Sequence, residues 1–149
     1  MKRKIYVASS WSNPLQPSIV AELRRRGHEV YDFRHPQGRD DKNVWEELDI
    51  DQEGMYGENL IDALEHPLAQ ERFEEHHEAM CAADTCVLLL PAGRSAHIEA
   101  GYMKGLGKKV YVLGSVFDQN RSELMYLTFD NFFCLYENLF DALEEDYDG

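Results

Sequence analysis

Residues 85–90, Thr-Cys-Val-Leu-Leu-Leu, form an apolar run with no polar alternation. A strand with one face in water alternates polar and apolar side chains, so a continuous run of this length marks a central parallel strand covered on both faces. Parallel neighbours need crossover connections, which are right-handed and usually helical. The run therefore asks for strands and helices to alternate along the rest of the chain, and they do. Strands are predicted at 4–9 (KIYVAS), 28–33 (HEVYDF), 109–114 (KVYVLG) and 132–135 (FFCL). Helices are predicted at 14–26, 58–66, 68–84, from about Ala96 onward, at 122–127 and at 137–145. Gly27 stands where a helix C-terminus favours glycine, and Leu68, Phe73 and Met80 are the expected core contacts of the helix at 68–84.

The simplest arrangement of these elements is a flavodoxin-like, Rossmann-like three-layer α/β sandwich with a five-stranded parallel sheet in the order 2-1-3-4-5. No linker composition divides the 149 residues, so a single domain over 1–149 is expected. Residues 36–57 are the least regular part, with Val44 and Trp45 as apolar anchors among many acids.

In that topology strands one and three are neighbours whose chains leave toward opposite faces, which opens a crevice at their carboxyl ends. Three polar segments converge there: Ser9, Ser10 and Trp11 through Asn13 after strand one, Asp32 and Arg34 after strand two, and Pro91 to Ser95, including Gly93 and Arg94, after strand three. Ser95 is a candidate N-cap for the next helix, whose first amides together with Arg94 suit a phosphate or carboxylate. Glu99 follows one turn later. Two roles fit it on pattern alone, a first-turn partner of the helix dipole or a carboxylate directed over the crevice. Ala100, Gly101, Gly105 and Gly107 make that helix intrinsically weak, so close packing on the sheet or on another subunit is expected to compensate. His97 is read either as a ligand contact or as cover for the sheet edge, and Trp11 and Trp45 either as stacking faces for a base or as packing aromatics.

A formal net charge of −13 opposes binding to polymeric nucleic acid, whose recognition depends on basic surface. The acidic stretches 40–58 and 137–149 read as solvated faces. No apolar run approaches the roughly 18–20 residues of a membrane span, and the N-terminus lacks the apolar length of a secretory signal. Cys81, Cys86 and Cys134 lack C-x-x-C spacing and fit reduced thiols, so a cytoplasmic location without membrane contact is expected. His76 or His77 with Cys81 approaches the i, i+4 spacing of a zinc site, but no further ligand cluster accompanies them, so no metal is expected.

The block GRSAHIEAGYMKGLGKKVYVLG (93–114), preceded by AADTCVLLLPA (82–92), resembles the nucleoside 2-deoxyribosyltransferase superfamily, in which a strand ends in a loop and a glutamate opens a helix in an E-x-G-Y-x-x-x-x-G-K-x-V pattern. IYVASSW (5–11) is similar to that family's first strand and substrate loop, and SELMY (122–126) to a segment that reaches into the neighbouring subunit's site. GHEVYDFRHP (27–36) and PAGRSAH (91–97) look most like a branch related to 2′-deoxynucleoside 5′-phosphate N-hydrolases.

The resemblance implies cleavage or transfer at the N-glycosidic bond of a small nucleoside or nucleotide, in a homodimer or larger homo-oligomer and without a cofactor. Glu99 would attack C1′ as the nucleophile, expel the base and form a glycosyl ester that a second base or water resolves, with Tyr102 holding it in position. Asp32 is better placed than Asp84 to protonate the leaving base, because Asp84 precedes its strand. Ser9, Ser10, Trp11, Arg34, Gly93, Arg94, Ser95, His97, Glu123 and Met125 are the candidate substrate contacts. The chain departs from the family where transferases carry an aspartate and nucleotide N-glycosidases a serine, six residues before the nucleophile, since Gly93 stands there. Gly93-Arg94-Ser95 offers amides, a guanidinium and a hydroxyl in its place, which favours a phosphorylated substrate. Two alternatives stand beside transfer: hydrolysis, including release of nicotinamide from NAD, and a catalytically silent nucleotide sensor.

Overall fold

The computed structural model describes residues 2–40, 43–48, 58–114 and 123–145. Among the described residues the elements, in chain order, are β1 (Lys4–Ala8), α1 (Gln16–Arg25), β2 (Glu29–Tyr31), a 3₁₀ turn (Pro36–Gly38), α2 (Val44–Glu47), α3 (Glu58–Glu65), α4 (Pro67–Ala82), β3 (Thr85–Leu89), α5 (Arg94–Gly105), β4 (Lys109–Leu113), a further 3₁₀ segment (Leu124–Thr128), β5 (Asn131–Phe133) and α6 (Tyr136–Glu144). The sheet runs β2-β1-β3-β4-β5 and every pairing is parallel, as the sequence pattern predicts. Among the described residues no helix is long and apolar enough to cross a membrane.

Strand alternation builds two cores. Ile5, Val7, Val30, Val87, Leu89 and Leu113 point to one side and pack on Ile19, Val20 and Leu23 of α1 and Leu139, Phe140 and Leu143 of α6. Tyr6, Ala8, Cys86, Leu88, Val110 and Val112 point to the other, against Met80 of α4 and Ala96, Ala100 and Met103 of α5. All five residues of β3 are buried, which is why its sequence shows no alternation. Of the small residues expected to pack closely, Ala100 is buried against the sheet, together with Ala96, but Gly101, Gly105 and Gly107 are exposed, with nothing within 4 Å of where a Cβ would stand. Gly27 ends α1 with φ near +94°, a conformation glycine adopts without strain. At the closed end of the sheet Arg3 is buried, with Nε donating to the Leu143 carbonyl at 2.6 Å and Nη1 to Thr85 Oγ1 at 3.1 Å, which ties the end of α6 to β1 and β3.

Three expectations are corrected. Helix α5 begins at Arg94 with Gly93 as its N-cap residue, so Ser95 is not the cap. The Gly93 amide donates to Ser10 Oγ at 2.8 Å and its carbonyl accepts from the His97 amide at 3.3 Å, which sets the helical direction before Ser95 is reached. Helix α1 begins at Gln16 rather than Pro14, because Asn13 Oδ1 accepts from the Leu15 amide at 2.9 Å and holds residues 13–15 in a local turn. Phe73 is 62% exposed instead of buried. Phe73 lies two turns before Met80 and within about 20° of it around the helix axis; Met80 meets the sheet, while the Phe73 ring, nearer the N-terminus of α4, stacks on His77 at 5.7 Å.

Candidate active site

Tyr6 is the central residue of β1 and faces the α4–α5 layer, where burial in a sheet flanked by apolar neighbours demands a partner for its hydroxyl. That partner is Glu99: the Tyr6 hydroxyl donates to Glu99 Oε2. Burial pushes the Glu99 carboxyl up to about 7, while the Tyr6 bond works in the opposite direction by favouring the charged form. Tyr6 itself is held well above the usual phenol range, first by burial and then by the adjacent carboxylate, so it stays a neutral donor. Glu99 is therefore poised to ionise around neutral pH while partly withdrawn from water, the condition that strengthens a carboxylate's interaction with a developing positive charge.

A second tyrosine continues the array. Tyr31 of β2 is the register partner of Tyr6, and the two rings are stacked at 5.4 Å with an 11° interplanar angle. The Tyr31 hydroxyl shares a hydrogen bond of 3.2 Å with His76 Nδ1 on α4. Adjacent strands thus carry adjacent tyrosines that reach α5 on one side and α4 on the other.

The loops predicted to converge do meet, and they are tied to one another. Ser10 Oγ accepts from the Gly93 amide, Ser9 Oγ donates to the Leu89 carbonyl at 3.2 Å, and Asn13 Nδ2 donates to the Leu89 and Pro91 carbonyls at 3.3 and 3.2 Å. Arg34 Nη2 donates to the Trp11 carbonyl and, at 2.9 Å, to the Asn13 carbonyl. Trp11 meets Phe33 edge to face at 5.1 Å. Asp32 is buried and its Oδ1 accepts from Gln16 Nε2 and from the Arg34 amide, both at 3.0 Å. Asp32 and Arg34 are thereby engaged in shaping the loops after β1 and β2.

His97 lies about 200° around α5 from Glu99 and faces away from Tyr6. Its Nδ1 bonds the Gly93 carbonyl at 2.7 Å, its Nε2 bonds the Tyr126 hydroxyl at 2.8 Å, and its ring stacks on Tyr126. On this side a cavity of about 880 Å³ is bordered by Leu90, Gly93, Arg94, His97, Tyr126 and, from the same chain, Glu123 and Met125. Glu99 does not line it. The sequence-derived candidates thus divide into a carboxylate side (Glu99) and a cavity side (Gly93, Arg94, His97, Glu123 and Met125), joined by the loop at 90–94. Ser122, the first residue of the SELMY segment, lies outside the described residues.

Tyr102 is bonded to His77 Nε2 at 2.9 Å and is 42% exposed; the tyrosine that holds Glu99 is Tyr6. Sequence reasoning missed Tyr6, Tyr31 and the contact of Tyr31 with His76. The signal was present in the alternation of KIYVAS, which sends Tyr6 to the opposite face from Ile5 and Val7. Among the described residues no three His, Cys, Asp or Glu side chains converge as a metal cluster.

No family model and no curated protein matches the chain. Among solved structures, it resembles a 2-deoxyribosyltransferase from the psychrotolerant bacterium Bacillus psychrosaccharolyticus, with a TM-score of 0.61 and 20% identity over 99% of this chain and 93% of that one. It also resembles the CMP N-glycosidase of Clostridium botulinum, with a TM-score of 0.53 and 13% identity over 97% of this chain and 100% of the other. The chain has their fold.

Proposed function

We propose that the protein cleaves or transfers at the N-glycosidic bond of a small nucleoside or nucleotide through a glycosyl ester on Glu99. The observation that carries this reading is the Tyr6–Glu99 pair: a carboxylate with its pKa raised to about 7, oriented by a neutral hydroxyl, on the helix that follows the central strand β3. The two enzymes of the same fold, a deoxyribosyltransferase and a CMP N-glycosidase, act on substrates with this bond. As the C1′–N bond lengthens, positive charge grows on C1′ and O4′. Ionised Glu99 stabilises that charge and then closes on C1′; the bonding pair leaves with the base, which takes up a proton. Water or a second base then attacks C1′ from the vacated side and releases the carboxylate.

Arg94 and the amides that open α5 are the groups on this chain suited to a 5′-phosphate, in keeping with the substrate class read from Gly93-Arg94-Ser95. Assembly into a homodimer or larger is part of the same reading: Ile98, Tyr102 and Leu106 form an outward stripe on α5 that is 71%, 42% and 46% exposed. The three free thiols suit a reducing cytoplasm.

The test is a chromatographic time course with deoxynucleosides, their 5′-monophosphates and NAD, with and without a second free base, alongside Glu99→Gln. The expected result is base release or exchange that falls on the order of 10⁴- to 10⁶-fold in the variant. Nucleotide binding without turnover by the wild-type protein would instead identify a sensor.

A further inference from the structure

We propose that the substrate is a dinucleotide: the nucleoside that loses its base lies at Glu99, and a second nucleoside, joined to it through the 5′-phosphates, fills the cavity on the other side of α5. The inference rests on the reading of Glu99 as the nucleophile and of Arg94 with the first amides of α5 as the phosphate site, and it names the class of molecule that occupies both sides. The cavity of about 880 Å³ is bordered by Arg94, His97, Gly101, Tyr126, Thr128 and Phe129, and not by Glu99. His97 and Glu99 are about 200° apart on a helix about 10 Å thick, so a base in the cavity cannot belong to the nucleoside that reacts at Glu99. Arg94 is the first residue of α5 and also borders the cavity, which makes the phosphate site the junction between the two sides.

The cavity suits a planar ring rather than further phosphate. Tyr126 meets His97 at 5.6 Å and Phe129 at 6.4 Å, a run of three aromatic side chains along one wall. His97 is fixed at both ring nitrogens, by the Gly93 carbonyl at 2.7 Å and the Tyr126 hydroxyl at 2.8 Å, so that wall is preformed. Walls of this kind favour burial of an aromatic ring and offer a phosphate nothing. Glu123 borders the same space; one carboxylate oxygen accepts from the Met125 amide at 3.1 Å, and the other is an acceptor for the exocyclic amine of a base.

Charge points the same way. Arg25, Arg26, Arg39 and Arg72 each pair with a glutamate. Arg94 makes no hydrogen bond or ion pair to any described residue, in a chain with 28 acidic side chains against 15 lysines and arginines. A guanidinium left without a carboxylate where acids are so abundant suits an anion brought by the ligand.

The test compares pairs of compounds that share the cleavable half: nicotinamide mononucleotide with NAD, and adenosine or deoxyadenosine 5′-monophosphate with the corresponding symmetric dinucleoside diphosphate. For each pair that the wild-type protein turns over, the expected kcat/KM is about 10- to 100-fold higher on the dinucleotide. A Cβ at Gly101 would meet nothing within 4 Å, so Gly101→Leu fills the cavity from α5 without a clash. It should bring the dinucleotide-to-mononucleotide ratio below about threefold by displacing the stacked ring. If Gly101→Leu fails to fold by circular dichroism, Thr128→Trp fills the same space from the 3₁₀ segment and should lower the ratio equally. A ratio near one in the wild-type protein, or a ratio that neither substitution lowers, overturns the proposal. A second copy closing the cavity would also give a ratio near one, with Gly101→Leu changing the sedimentation coefficient instead. Calorimetric titration of Glu99→Gln with the same pairs separates this inference from the reading it rests on. Tighter binding of the dinucleotide that Gly101→Leu abolishes, with no turnover by the wild-type protein, supports the cavity assignment and overturns the glycosyl-transfer reading. Equal affinity within each pair, or no binding, overturns the cavity assignment whatever the wild-type protein turns over.

Discussion

Replacing Tyr6 by Phe removes one oxygen and nothing else: the ring keeps its volume, its stack on Tyr31 and its burial in the sheet. What is lost is the hydrogen bond to Glu99. A bond to a charged acceptor contributes about 1.5–3 kcal/mol and one to a neutral acceptor about 0.5–1.5. The ionised form of Glu99 therefore loses about 1–1.5 kcal/mol more than the protonated form. At 1.36 kcal/mol per pH unit this moves the Glu99 titration up by about one unit, from about 7 to about 8.

The sign follows from the cause. Burial has already raised the folded-state carboxyl above its unfolded value of 4.5, so the ionised form weakens folding as pH rises from there through about 7. Removing the one contact that favours the ionised form deepens that loss at alkaline pH. The measurement is a carbon-13 NMR titration of labelled glutamates, with the Glu99 signal assigned by its absence in Glu99→Gln, together with urea unfolding at pH 5.5 and 9. The expected outcome is an upward displacement of that one titration and a stability gap from wild type that is wider at pH 9 by about 1 kcal/mol. At pH 7 the ionised fraction falls from about a half to about a tenth, so kcat/KM should fall about fivefold from ionisation alone. An unmoved or lowered Glu99 titration would refute the reasoning, because the Tyr6 hydroxyl would then not be bonding the carboxylate.

Asp32→Asn retains the Oδ1 that accepts from Gln16 and the Arg34 amide, so turnover should stay within about threefold of wild type; a hundredfold loss would return Asp32 to the role of general acid. Sedimentation should show a dimer or larger species, and Ile98→Glu with Leu106→Glu on the exposed α5 stripe should shift it toward monomer with little change in the unfolding midpoint at the monomer limit. A species of about 17 kDa at every concentration would exclude assembly.

The sheet order was legible because its evidence is periodic and local. TCVLLL had to be a strand buried on both faces, and Gly27 had to end a helix. The position of Glu99 was legible for the same reason: strand, loop and helix follow one another in sequence, and the crevice lies where they meet. Which side chains touch Glu99 was not, because those contacts join residues far apart in the chain. Tyr6 lies 93 residues from Glu99, and Tyr31 lies 45 from His76. Tyr102, three residues from Glu99, was the nearer candidate by sequence but turns outward to His77, since sequence spacing on a helix sets direction and not partner.

The helix at 67–82 shows the limit most clearly. Apolar periodicity assigned Phe73 inward, yet it is 62% exposed, and the α4 side chain that meets Tyr31 of the sheet is His76, through a hydrogen bond of 3.2 Å. By itself the sequence determined the alternation of strands and helices, the two faces of each strand and the helix that carries Glu99. Only the tertiary structure decided the chemistry of the crevice. Register between β1 and β2 brings Tyr6 beside Tyr31, and burial of that pair creates the demand for hydrogen bonds that Glu99 and His76 meet.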